Sequence, residues 1–126
     1  MTNSTALRIS AIVGFLAVAL GAFGAHSLKE LLAQNGTTAI WEKAVLYHLV
    51  HSVVLLLIAT REPLAARAWR LFLAGVVVFS GTLYVLAVTN VKWLGAITPI
   101  GGLCLLGGWL ALAWSASARR QHPSPE

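Results

Sequence analysis

Lys43, Tyr47 and His51 recur every four residues, and His48 follows Tyr47 directly. A four-residue repeat runs along one face of a helix. An ammonium, a phenol and an imidazole would therefore share a stripe, with a second imidazole beside it. Imidazole is the side chain that exchanges protons near neutrality, and phenol both donates and accepts hydrogen bonds. Ser80, Thr82 and Tyr84 add three hydroxyls further along, Thr98 stands directly before Pro99, and His26 stands alone. Proton relay, binding of a polar solute, and a merely satisfied buried network are the chemistries this set permits.

The elements that must position these side chains are apolar. Four uncharged stretches, Ile9 to Ala25, Ala44 to Thr60, Leu71 to Val91 and Trp93 to Ala118, fill most of the 126 residues. Each is close to the roughly 20 residues a helix needs to cross about 30 Å of hydrocarbon. Hydrophobic residues are 58% of the chain and charged ones 10%, where a soluble domain carries about 25% charged. A water-exposed surface is therefore excluded. The fold class is an all-α membrane protein, a four-transmembrane-helix bundle with a short interfacial amphipathic helix between spans 1 and 2. One domain is expected over residues 1–120, with spans at about 7–25, 39–60, 67–90 and 93–117 and a disordered polar tail at 121–126.

The net charge of +5 does not point to nucleic acid, because the basic residues flank the apolar runs instead of forming a patch. With four crossings, Arg8, Arg61, Arg67, Arg70, Arg119 and Arg120 share one side, and Lys29, Lys43 and Lys92 the other. The positive-inside rule then puts both termini in the cytoplasm, or in the equivalent compartment of an organelle.

In that frame His48 and His51 fall near the bilayer centre, where ionisable groups face protein or water. Ser80 comes to the same depth on the third span, Tyr84 and Thr82 rise toward the outside, Thr98 lies in the outer half of the fourth span, and His26 marks the outer end of the first. The expectation is one small polar pocket, open to the outer side, lined by His26, Tyr47, His48, His51, Ser80, Tyr84, Thr98 and Pro99. The competing reading is a structural network, in which each imidazole bonds a carbonyl or a Tyr and Ser80 bonds its own preceding turn.

Local signals fill in the elements. Ala17, Gly21 and Ala25, extended by Gly14 and Gly24, form a small-residue face that packs on a neighbouring span or on a second copy. Ser27-Leu28-Lys29-Glu30 reads as a capping box opening a short helix on Leu28, Leu31 and Leu32, which Asn35-Gly36 stops. Thr37 or Thr38 caps the second span, with Glu42 in its first turn. Trp41, Trp69 and Trp93 are expected in the interfacial belt. Pro99 leaves the Gly95 carbonyl without its helical partner, so a kink or break is expected there. Arg8 and the small residues Ala22–Ala25 have some look of a cleavable leader; the stretch is read as a retained span.

Several chemistries lack their parts. His48 and His51 are three apart, but no Asp or Glu lies deep in a span to offset a dication. Two imidazoles on one helix cannot take opposite axial positions on a haem. No phosphate-cradling loop, dinucleotide fingerprint or nucleophile elbow occurs. No metal, no cofactor and no catalytic residue is assigned. Cys104, the one cysteine, reads as a small apolar residue within the fourth span.

Gly21-Ala-Phe-Gly-Ala-His26, Tyr47-x-x-x-His51, Phe79-Ser-Gly-Thr-Leu-Tyr84, Gly95-Ala-Ile-Thr-Pro-Ile-Gly-Gly102 and Gly108-Trp109 occur in this order. Together they resemble the YgdD family of small membrane proteins, a domain of unknown function with relatives in bacteria and in animal mitochondria. The resemblance spans nearly the whole chain. It implies four spans in the bacterial cytoplasmic (inner) membrane, with no activity, substrate or cofactor. It also implies that His26, Tyr47, His51, Ser80, Tyr84, Thr98 and Pro99 stand at recurring motif positions, with His48 and Thr82 where relatives differ. Three functions stay open: binding or conducting a small polar solute, ion or proton; a structural subunit or assembly factor; and a redox or lipid-modifying enzyme. The partners expected are the lipid bilayer and either a second copy or a larger membrane complex, not nucleic acid.

Overall fold

A computed structural model describes residues 1–119; the expected tail at 121–126 lies outside the described residues. Among the described residues every regular element is helical: α1 (Asn3–Ala25), α2 (Lys29–Asn35), α3 (Thr38–Ala59), α4 (Ala66–Thr89) and α5 (Thr98–Arg119), with a 3-10 segment over Lys92–Ala96 before α5. α1, α3 and α4 and the segment Lys92–Ala116 are each long and apolar enough to cross a membrane. Their outward faces carry Phe15, Leu57, Val77, Leu103 and Leu110, all exposed. Only a hydrocarbon solvent makes such a surface stable.

The helices pack in chain order, α1 on α3, α3 on α4 and α4 on α5. Among the described residues the backbones of α3 and α5 do not approach each other, nor do those of α1 and α5. The bundle is therefore open, with α3 and α4 at its centre.

Small residues allow the close approaches. The α1 face packs against α3 as expected of it: Gly14 lies over Ser52, Gly21 over Val45, and Gly24 under the Trp41 indole. Between α4 and α5 the pairing is aromatic on glycine. Phe72 sits on Gly108 and Phe79 on Gly101, a seven-residue step on each of two antiparallel helices.

Two apolar clusters form the core. One, toward the α3–α4 turn, gathers Ala6, Leu55, Ile58, Trp69, Phe72, Val76 and Leu105; the other, toward α2, gathers Leu32, Trp41 and Ala87. Two tryptophans expected in the interfacial belt, each the fourth residue of its helix, are turned into the bundle. Trp69 is 2% exposed and donates its Nε1–H to Ser10 Oγ at 3.0 Å. Trp41 is buried and donates to the Leu20 carbonyl at 3.0 Å, through the gap that Gly24 leaves on α1. Trp93 is exposed, and so is Trp114, at 81%.

The capping expectations need correction. Ser27 does not cap α2: the residue at its N-cap is Leu28, with no side-chain bond. The turn from α1 instead closes on backbone bonds, with Leu28 N–H donating to the Phe23 carbonyl at 2.9 Å. Gly36 does stop α2, at φ 66, the left-handed conformation that glycine enters freely. Thr37 precedes α3 but sends its hydroxyl to the Ala87 carbonyl at 2.7 Å, and Glu42 falls one residue beyond the first turn. Asn35 Nδ2 reaches the Ala87 and Val88 carbonyls at 3.0 and 3.1 Å. The α2–α3 corner thereby satisfies carbonyls that the end of α4 would leave bare.

The break at Pro99 is complete. The chain turns through the 3-10 segment, and α5 begins at Thr98 with Pro99 as its second residue. In a first turn the missing amide costs nothing, because that N–H has no helical partner.

Candidate functional site

The eight sequence-selected residues do not gather round one space. They divide into two side-chain groups, one between α3, α4 and α1 and one between α3, α4 and α5, a hydroxyl pair at the α4–α5 contact, and the isolated His26.

The first group lies between α1, α3 and α4. His48 is 6% exposed, and its Nδ1 is 3.0 Å from the Tyr84 hydroxyl. The Tyr84 ring packs on Trp41, centroids 4.7 Å apart. Ser52, one turn after His48, donates to the His48 carbonyl at 2.6 Å. Ser80 is buried and donates to the Ala44 carbonyl of α3 at 2.8 Å. It ties two helices together and does not bond its own preceding turn. Thr82 makes that local bond, to the Val78 carbonyl at 2.7 Å, and meets Thr98 Oγ1 at 2.8 Å across the α4–α5 contact.

The second group lies between α3, α4 and α5. His51 stacks on Tyr47 and lies against Phe72 and Trp109. Its Nδ1 is 2.7 Å from the Tyr47 carbonyl, and its Nε2 receives the Trp109 Nε1–H at 3.3 Å. A carbonyl can only accept and an indole N–H can only donate. His51 is therefore the neutral imidazole with its proton on Nδ1 and its Nε2 lone pair occupied. This bond also links α3 to α5, whose backbones stay apart.

Tyr47 differs from the rest. It is 39% exposed and packs on Phe79 with centroids 4.5 Å apart. Among the described residues its hydroxyl has no hydrogen-bond partner. It opens into a groove of about 480 Å³ that Pro99, Gly102, Leu103, Leu106 and Trp109 wall from α5, with Phe79 from α4 and His51 from α3. The groove exists because α3 and α5 flank α4 with their backbones apart. It opens sideways, toward the lipid.

The remaining expectations fall outside it. His26 is exposed at the end of α1 beside Ala19, Phe23 and Ser27. Ser80 and Tyr84 line neither that depression nor the groove, and Thr98 is held by Thr82. Lys43 is exposed one turn above Tyr47. Among the described residues no three His, Cys, Asp or Glu side chains cluster as metal ligands would. Trp109, Phe79 and Leu106 were not singled out as site residues, although the first two stand inside motifs quoted above.

Residues 20–102 match a family model described as a protein of unknown function, DUF423. The chain belongs to this family. It is 44% identical over 109 residues to a UPF0382 membrane protein of Staphylococcus haemolyticus, covering 82% of this chain and 88% of that one. It is 37% identical over 115 residues to the UPF0382 membrane protein YwdK of Bacillus subtilis, covering 86% and 92%. No solved structure matches. With four apolar crossings and membrane proteins as relatives, the DUF423 chain is an integral membrane protein.

Proposed function

We propose that this protein binds a ligand drawn from the lipid phase in the groove between α3, α4 and α5, with the Tyr47 hydroxyl as the fixed point of recognition. One observation carries the reading: a phenolic O–H without a protein partner on a membrane-spanning helix, among the described residues. A hydroxyl in hydrocarbon without a hydrogen bond costs several kcal/mol, roughly 4–8 on transfer scales. A chain that accepts that cost in a ready-made cavity of about 480 Å³ gains it back when an acceptor enters.

Binding is favoured over conduction. The polar side chains fall into separate groups, and both nitrogens of His51 are engaged, so a proton moving through it must first break the Trp109 bond. An assembly factor would need free contact surfaces, for which the glycine-rich faces of the first and fourth spans are the candidates. Those faces meet α3 and α4 within the chain. The setting belongs to the same reading: a bacterial cytoplasmic membrane, both termini inside, in one lineage with the YgdD proteins and their mitochondrial relatives.

The test is to purify the wild type and Leu106→Trp, which fills the groove, in mild detergent and extract what each retains. The expected result is a molecule released by the wild type and missing from the variant. Equal extracts from two equally folded proteins would overturn the proposal.

A further inference from the structure

We infer that the groove takes the ring of a prenylated quinone, with one ring carbonyl accepting the Tyr47 hydroxyl proton. This rests on the reading that the groove binds a lipid-phase ligand and names the class.

Depth is the first argument. Tyr47 is the tenth of the 22 residues of α3, about 14 Å from the outer end of a helix about 33 Å long. It therefore stands inside the hydrocarbon, one turn in from Lys43. Phospholipid esters and headgroups lie outside that layer, about 15 Å from its centre. An uncharged ring on an isoprenoid tail is soluble in the hydrocarbon itself.

Donor count is the second. The Trp109 N–H is given to His51, and the His51 N–H to the Tyr47 carbonyl. Among the described lining residues this leaves the Tyr47 hydroxyl as the one free side-chain donor, and no Lys or Arg is among them. A single neutral donor in an apolar wall suits a neutral acceptor such as a ring carbonyl.

Shape is the third. Tyr47, Phe79 and Trp109 present flat aromatic surfaces, Gly102 keeps the α5 side shallow, and Leu103 and Leu106 continue the wall for a branched tail. Stacked rings contribute beyond the area they bury.

The experiment uses the full chain in phospholipid nanodiscs, titrated with a naphthoquinone carrying one isoprene unit, with tryptophan fluorescence as the signal. Saturable quenching is expected, most of it lost in Trp109→Phe. Tyr47→Phe, which removes one oxygen, should raise the apparent Kd about tenfold, the worth of one hydrogen bond. A prenyl naphthalene without carbonyls should compete at least about tenfold more weakly for the same reason. Quenching that is saturable but unchanged in Tyr47→Phe, with the melting temperature also unchanged, would overturn the carbonyl–Tyr47 contact. Absent quenching, with another molecule retained by the wild type and missing from Leu106→Trp, would overturn the quinone and leave the groove reading standing. Absent quenching with nothing retained would overturn both.

Discussion

His51 shows how hydrogen-bond partners assign a role. Because a carbonyl occupies Nδ1 and an indole N–H occupies Nε2, its nitrogen resonances should report a protonated Nδ1 and a bare Nε2. Nitrogen-15 NMR of labelled histidine in bilayers reads this directly, and the opposite tautomer would contradict the contact. The His51–Trp109 pair should also couple in a double-mutant cycle of His51→Ala and Trp109→Phe, by about 0.6 and at most roughly 1.7 kcal/mol, the range for polar contacts between membrane helices. Steric unfolding in detergent measures it. The sequence held the polar residues but not their grouping. His48 and His51 differ by about 60° around the helix axis. On a helix with neighbours to either side, that angle is enough to send one toward Tyr84 and the other toward Trp109. That Trp41 and Trp69 turn inward was illegible for a related reason. Position along a span tells depth, while lipid-facing and protein-facing sides are equally apolar and leave no stripe to read.

At the scale of elements, the glycines divide sharply. A Cβ on Gly101 would meet the Phe79 backbone, which cannot swing aside as a side chain would. Gly101→Ala should push α5 from α4 and lower stability by about 1–3 kcal/mol, the usual cost of overpacking. Gly81→Ala meets nothing within 4 Å and should be neutral or stabilising, by up to about 1 kcal/mol from helix propensity. Thermal melts of the two variants in one detergent test the contrast; equal melting temperatures would mean that α4 and α5 do not pack as described. Thr37→Val should loosen the α2 corner. It removes a buried donor to the Ala87 carbonyl while Asn35 still bonds the same oxygen. The expected loss is about 1 kcal/mol, with faster amide exchange in α2 than in α3. The four spans, the short second helix and the break at Pro99 were legible from charge placement, Asn35-Gly36 and the missing proline amide. The capping box was not, because Ser27 is taken up in a backbone-bonded turn that precedes the helix.

The whole molecule carries an asymmetry of charge that makes its orientation testable. Arg8 near the start of α1, the arginines Arg61, Arg67 and Arg70 around the α3–α4 turn, and Arg119 at the end of α5 share one end of the bundle. Asn3 fastens that end by donating to the Arg61 carbonyl at 2.7 Å, so the N-terminus and the turn belong to the same side. Lys29 and Lys43 stand at the other end with Glu30 and Glu42, which reduce the net positive charge there. Moving the arginine-rich end outward would act against the cytoplasmic retention of basic segments. With Cys104→Ser as background, Gln34→Cys on exposed α2 should react with a membrane-impermeant maleimide on intact cells. Glu62→Cys in the α3–α4 turn should react only after lysis. The reverse pattern would invert the topology and place the groove's outer end, at Pro99, on the cytoplasmic side. The depth of Tyr47 would survive such a reversal, since it stands near the middle of α3 counted from either end.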